Sequence, residues 1–116
     1  MNQLDVLHHE FRAGDGSFLL TLRTEYHWDR VAFTRLEQAM RSVAAEYADR
    51  DQIDRWLADG YHYASTFVPA HTQHPDFPRP NPHTYYEACI RRLGDLATWF
   101  FSGLPVYQEP HTWEPL

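Results

Sequence analysis

Lysine is missing from this 116-residue sequence, and all ten basic residues are arginine. This excludes every activity that needs a lysine amine, including Schiff-base chemistry, the phosphate-binding loop of nucleotide hydrolases and kinase-type catalysis. Cysteine occurs once, as Cys89, so an intrachain disulfide and zinc sites built on paired cysteines are also excluded. Because Cys89 falls on the apolar side of a predicted helix, we expect a small buried side chain there.

Long apolar runs are missing as well. No N-terminal stretch reaches the length of a signal peptide, and none reaches that of a membrane span. We therefore expect no membrane partner and a location in the cytoplasm. Clusters of positive charge are absent too: the net charge is −6, and no run of arginines supplies the basic surface that phosphate binding needs. This argues against nucleic acid as a partner.

Aromatic residues, by contrast, are abundant, with seven Tyr, seven Phe and four Trp. Large rings can fill a core that is built from few residues. With 43% hydrophobic residues, the chain is long enough for one core and too short for two ordinary domains. We expect a single domain over residues 1–116.

The strongest local pattern predicts a helix over residues 82–102. Asn81 suits the N-cap, Pro82 the first helical position and Gly103 a left-handed C-cap. The apolar residues recur at spacings of three and four, as Tyr86, Ile90, Leu93, Ala97 and Phe100. We interpret this segment as the central core helix. Since Gly94 is unfavourable in a helix, we expect another backbone to approach closely there.

Two further helices are predicted over residues 29–48 and 51–68. Asp29 and Asp51 suit their N-caps, and Pro69 would end the second helix. The first helix has a clean apolar stripe, formed by Phe33, Leu36, Met40, Val43 and Tyr47. The short break between the two helices predicts an antiparallel pair, whose combined face the last helix could cover.

Residues 4–27 predict an antiparallel β-hairpin around a turn at 13–16 that contains two glycines. The second half alternates, with Phe18, Leu20, Leu22, Thr24 and Tyr26 on one side. Leu19 is out of place in this pattern. The predicted class is α+β, an N-terminal hairpin followed by three helices. The alternative is an all-α four-helix domain, because the apolar run over 18–20 also suits a helix that begins near residue 17.

The segment over residues 69–81 contains four prolines, and we expect an extended loop without a core of its own. A loop of this length in a compact domain is commonly functional. The tail over residues 104–116 shows no periodicity, but the rings of Tyr107 and Trp113 would gain from burial.

Eight histidines raise the hypothesis of a metal site. His71 and His74 lie three residues apart in the proline-rich loop, Asp76 is close by, and His83 opens the last predicted helix. Three imidazoles and a carboxylate can ligate zinc or another divalent metal. Since no helix or zinc-finger spacing enforces this set, our main expectation is no cofactor, with zinc bound by these three histidines as the alternative.

Three other residues are candidates for binding a small ligand, namely His9, Tyr61 and Tyr85. In the hairpin register, His9 would point into the apolar face. The two tyrosines belong to a group of aromatic residues that could line a pocket, although most of that group falls on predicted core stripes. No serine lies in a nucleophile-elbow sequence, so the catalytic residues stay unassigned.

Two classes of function remain. The main expectation is a small non-catalytic module that acts through contacts with a partner protein, as a regulator, an inhibitor or immunity-type factor, or an accessory subunit. The alternative is a small-ligand or metal-binding protein, with or without enzymatic activity, that uses the loop histidines and the adjacent aromatics. We also expect a homodimer, because a lone hairpin leaves unpaired strand edges that a second copy would complete.

Overall fold

The computed structural model describes residues 2–105 and 115–116. Within these residues all regular secondary structure is α-helical. The helices are α1 (Gln3–Phe11), α2 (Phe18–Glu25), α3 (Arg30–Tyr47), α4 (Arg55–Thr72) and α5 (His83–Ser102). Helix α3 packs against both α1 and α5, and α4 packs against α5, so the core lies around α3 and α5. None of the described helices is both long and apolar enough to cross a membrane.

The predicted α+β class is wrong, because the segment predicted as a hairpin forms α1 and α2. The Ser17 hydroxyl accepts a hydrogen bond from the Leu20 N–H at 3.2 Å and so caps α2. Leu19, the residue that broke the strand alternation, is only 1% exposed and lies beside the buried Phe18 and Leu22. These positions form one face of a helix. The all-α alternative agrees in class, but it had four helices where the described residues form five.

Helix α1 carries similar signals that the strand prediction overlooked. The Asn2 side chain accepts a hydrogen bond from the Asp5 N–H at 2.8 Å, as an N-cap does. Leu7 is fully buried, and so is Glu10, although in a strand that points His9 inward the next residue would face solvent. The homodimer was predicted from the open edges of the two strands. Since these segments are helices, that argument no longer applies, and the oligomeric state stays a prediction.

Glu10 joins the two N-terminal helices to α3. One carboxylate oxygen accepts the Phe18 N–H at 3.1 Å, and the other accepts Nε of Arg35 at 3.3 Å. The Arg35 guanidinium also donates to the Gly16 carbonyl at 2.7 Å. The buried charge is therefore paired with a cation and placed at the N-terminus of α2, where a negative charge is favourable.

The last three helices lie where helices were predicted, but their ends differ. The N-cap of α4 is Asp54 instead of Asp51, and the Asp54 carboxylate accepts the Tyr47 hydroxyl at 2.6 Å. The N-cap of α5 is Pro82 instead of Asn81. The predicted tail over 104–116 falls mostly outside the described residues, and so do its two aromatic rings.

Pro69 does not end α4, contrary to the prediction. The Gln73 N–H donates to the Pro69 carbonyl at 3.0 Å, and the Thr72 hydroxyl donates to the Val68 carbonyl at 2.7 Å. Proline has no backbone N–H, so the carbonyl four residues earlier, that of Ser65, lacks its usual helical donor. Ser65 is half-exposed. The helix therefore continues to Thr72, over residues that were predicted to be an extended loop.

The close backbone approach predicted at Gly94 is also wrong. Gly94 is exposed, and a Cβ built on it meets no heavy atom within 4 Å, so no other backbone approaches it. The close approach occurs at Gly60, where a Cβ would lie 2.0 Å from Cδ2 of Phe11. The absence of a side chain at Gly60 lets α1 pack against α4.

Candidate functional site

The predicted ligand-binding residues do not come together. The His9 ring packs against Gly14, and its Nε2 lies 2.8 Å from the Asp15 carbonyl, so it stabilises the turn between α1 and α2. Tyr61 is fully buried, and its hydroxyl donates to the Met40 carbonyl at 2.6 Å. Burial raises the pKa of this phenol. Both side chains serve the packing of helices.

Tyr85 occupies a third environment, at the start of α5. Its hydroxyl accepts Nε1–H of Trp28 at 3.3 Å, and the Arg30 guanidinium lies 3.7 Å above the ring. Burial raises the pKa of the Tyr85 phenol to about 12 and that of the Cys89 thiol to about 11. Cys89 is therefore a neutral thiol at physiological pH and a poor nucleophile.

The predicted metal ligands are divided between two cavities. His71 and His74 line one of them together with Asp76, whereas His83 lines the other. Nε2 of His83 lies 3.1 Å from a carboxylate oxygen of Glu87 on the same helix. In the described part of the chain, no group of three or more His, Cys, Asp or Glu side chains could hold a metal ion. The structure thus does not assemble the predicted zinc ligands.

The first of these cavities has a volume of about 560 Å³ and lies between the C-terminal ends of α2 and α4 and the loop that follows α4. We call it the aromatic cleft, and it is lined by Tyr26, Phe67, Ala70, His71, His74, Asp76 and Phe77. Its size is within the range of known ligand sites, roughly 300–1,000 Å³, and its lining combines rings with a few polar groups. The cleft is therefore our candidate site.

Three rings that line the aromatic cleft, those of Phe67, His71 and Tyr26, belong to a stack of four that begins at Tyr63. Tyr63, Phe67 and His71 follow each other at intervals of four on α4, so they lie on one face of the helix. Tyr63 and Phe67 stack at 4.7 Å and 11°, and Phe67 and His71 at 5.0 Å and 16°. Tyr26 continues the stack beyond His71 at 5.3 Å and 25°. Phe77 is buried below and meets His71 edge-on at 5.5 Å.

Tyr26 holds an unusual backbone conformation at the mouth of the cleft. It is the C-cap of α2, with φ 52° and ψ 39°, in the left-handed region that glycine or asparagine normally occupies. For another residue this conformation costs about 1–2 kcal/mol, which the ring contacts of Tyr26 with His71 at 5.3 Å and with Phe77 at 6.4 Å help to offset. Tyr26 nevertheless stays 55% exposed. An exposed ring in an unfavourable conformation supports the hypothesis of a role at the surface.

The polar groups of the aromatic cleft include two hydrogen-bond acceptors. Nε2 of His71 lies 3.2 Å from the Leu22 carbonyl, which can only accept, so Nε2 carries a proton and Nδ1 is the acceptor of this tautomer. The Asp76 side chain is 91% exposed, and its backbone N–H donates to Nδ1 of His74 at 3.2 Å. In this arrangement Nδ1 of His74 accepts a hydrogen bond, and Asp76 is the acidic residue of the lining.

The second cavity, of about 700 Å³, lies between the same loop and α5. Besides Arg91, its ionisable groups have partners within the protein. The Arg79 guanidinium donates to the Thr72 carbonyl at 3.1 Å, and His83 is paired with Glu87. The aromatic cleft, with its open ring face and exposed carboxylate, is therefore the better candidate.

Comparison with protein-family models, curated proteins and solved structures finds no match to this chain. The candidate site consequently depends on geometry alone. Sequence reasoning missed Tyr26 and Phe77 as site residues. The spacing of Tyr63, Phe67 and His71 was visible in the sequence, but it becomes meaningful only when the helix is continued through Pro69.

Proposed function

We propose that this protein is a small non-catalytic binding module that takes a segment of a partner protein into the aromatic cleft. The observation that carries this proposal is Tyr26, an exposed ring held in a left-handed conformation and stacked on His71. Rigid aromatic side chains supply much of the binding energy at protein interfaces. We propose the cytoplasm as the compartment, where a lone thiol such as Cys89 stays reduced.

A second candidate function is the binding of a small molecule in the same cleft. The volume of about 560 Å³ favours it, since drug-sized ligands occupy cavities of this size. Cleft binding is common to the two candidates, and only the chemistry of the ligand separates them.

Nuclear magnetic resonance of the ¹⁵N-labelled protein tests the proposal. A panel of short peptides and a panel of small aromatic compounds would be titrated separately, with the backbone amides of Ala70, Asp76 and Phe77 as reporters. We expect at least one peptide to shift these signals in the wild type and not in Tyr26→Gly, in which the ring is removed at a position suited to glycine. Shifts from small compounds alone would support the second candidate. Peptides that leave the cleft signals unchanged would contradict the proposed function.

A further inference from the structure

We infer that the aromatic cleft recognises the guanidinium group of an arginine side chain in a partner polypeptide. This inference rests on the proposed function and specifies the group that is bound. It follows from three properties of the cleft, namely its charge, its hydrogen-bond acceptors and the exposed face of a ring.

The charge of the cleft is negative. When its histidines are neutral, Asp76 is the lining residue that carries a formal charge. Its ionic neighbour is Nδ1 of His74 at 3.9 Å, and that nitrogen is occupied as the acceptor of the Asp76 N–H. The whole chain carries −6. The nearby cation is Arg79, which donates to the His74 carbonyl at 3.4 Å and to the Thr72 carbonyl at 3.1 Å and is thus held by the backbone. The charge of the lining residues and the net charge of the chain favour a cationic partner.

The acceptors of the cleft call for a ligand with several donors. The Asp76 carboxylate offers two oxygens, and His71 offers Nδ1, because its Nε2 is held by the Leu22 carbonyl. A guanidinium has five N–H donors and no acceptor, and its planar fork matches a carboxylate. A neutral amide group would bring its own acceptor into this acceptor-rich site.

The exposed ring distinguishes arginine from lysine. One face of Tyr26 is covered by His71, and the Phe77 ring lies 6.4 Å away at 54°, but the residue is still 55% exposed, so part of its ring is accessible to a ligand. A guanidinium is flat, weakly hydrated and stacks on aromatic faces, whereas an ammonium is compact and strongly hydrated. The chain already uses this pairing: Arg30 lies 3.7 Å above the Tyr85 ring, and Arg50 lies 4.0 Å above the Tyr47 ring.

The test is a titration with acetyl-Gly-Arg-Gly-amide, compared with the same peptide containing citrulline or lysine. Citrulline keeps the planar shape of arginine and loses its charge. We expect the arginine peptide to shift the amides of Ala70, Asp76 and Phe77 saturably, with a Kd on the order of 10 mM, as one ring contact and one exposed ion pair would give. The citrulline and lysine peptides should bind at least about fivefold more weakly.

Matched variants separate the contributions of charge and ring. Asp76→Asn should weaken the arginine peptide roughly threefold or more, whereas Asp51→Asn, the same change at an exposed position outside the cleft, should leave the affinity unchanged. Tyr26→Gly should abolish the shifts, and Tyr26→Phe should keep them. For each variant, unchanged amide signals outside the cleft show that the fold is intact.

Two results would overturn the inference. The first is equal binding of the arginine and citrulline peptides, or of wild type and Asp76→Asn. The second is an arginine peptide that leaves the cleft amides unmoved while peptides of other composition shift them. In that case a different group is recognised, and the proposed binding function stands. If no peptide of any composition acts at the cleft, both proposals fall together.

Discussion

Replacing Gly94 and Gly60 by alanine should change stability in opposite directions, although both glycines lie inside long helices. Alanine is favoured over glycine in a helix by about 1 kcal/mol, chiefly because glycine loses more backbone freedom on folding. At Gly94 the new methyl group meets nothing within 4 Å, so the full gain should be realised. With a urea dependence of ~2 kcal/mol/M, the unfolding midpoint should rise by about 0.5 M.

At Gly60 the same gain is outweighed by a steric conflict. The new Cβ would lie 2.0 Å from Cδ2 and 2.4 Å from Cγ of Phe11. Because Cγ is close to the backbone, the whole ring of Phe11 must move, and its edge-on contact with Tyr61 at 5.5 Å would be disturbed. Overpacking costs about 1–3 kcal/mol, and contacts as close as 2.0 Å to a ring that must move as a whole belong to the upper part of this range. After the helix gain of about 1 kcal/mol, we expect a net loss of about 1–2 kcal/mol.

Urea denaturation followed by circular dichroism measures both variants against the wild type. The result that would refute this reasoning is a destabilised Gly94→Ala or a Gly60→Ala as stable as the wild type. The first result would mean that the exposed side of α5 is covered. The second would mean that α1 does not pack on α4 at Gly60. Equal slopes in urea are the control, since a changed slope would indicate a different unfolded state.

Three further predictions concern the core, the thiol and the histidines. Leu93→Ala should lower the free energy of unfolding by about 2–5 kcal/mol, because Leu93 is fully buried on α5. Replacing the exposed Arg91 by alanine should cost under about 1 kcal/mol. Equal losses in urea denaturation would mean that the buried face of α5 is assigned wrongly. Burial raises the pKa of the Cys89 thiol from its ordinary 9.0 to about 11, so between these values the folded state binds more protons than the unfolded one. The contribution of this thiol to the free energy of unfolding should therefore be fully present below pH 9 and decrease as the pH rises towards 11. Cys89→Ala should make the melting temperature fall less steeply over this range. An unchanged dependence on pH would contradict the buried thiol. Stoichiometric zinc at micromolar concentration should leave the melting temperature unchanged, whereas a rise in the wild type that His74→Ala abolishes would revive the metal hypothesis.

The helices with long apolar stripes could be predicted from the sequence, because residues such as Phe33, Leu36 and Met40 repeat with a period that only a helix satisfies. The two N-terminal helices could not. Each has only two turns or so, and over such a length Phe18, Leu20 and Leu22 fit a strand as well as a helix. Their conformation is decided by distant partners, since Glu10 is buried against Arg35, which comes 25 residues later.

The candidate site was only partly accessible for a related reason. His71 and His74 were selected from the sequence by residue type and spacing, but as metal ligands and not as parts of an aromatic cleft. Their role in the aromatic cleft depends on Tyr26 and Phe77, which come from other segments and meet His71 only in the folded chain. Nothing local to Tyr26 indicates a left-handed conformation, because tyrosine rarely adopts one.

The Glu10 carboxylate has a consequence for the order of events during synthesis. Helices α1 and α2 have nine and eight residues, shorter than the roughly 12–15 residues that are needed for a helix to persist alone in water. Although they leave the ribosome before α3, they depend on Arg35 of that helix before Glu10 can be buried and the Phe18 amide can bind its acceptor. The nascent N-terminal segment should therefore stay unstructured until α3 emerges, and in the finished protein the Phe18 amide should exchange with solvent only when the whole domain opens.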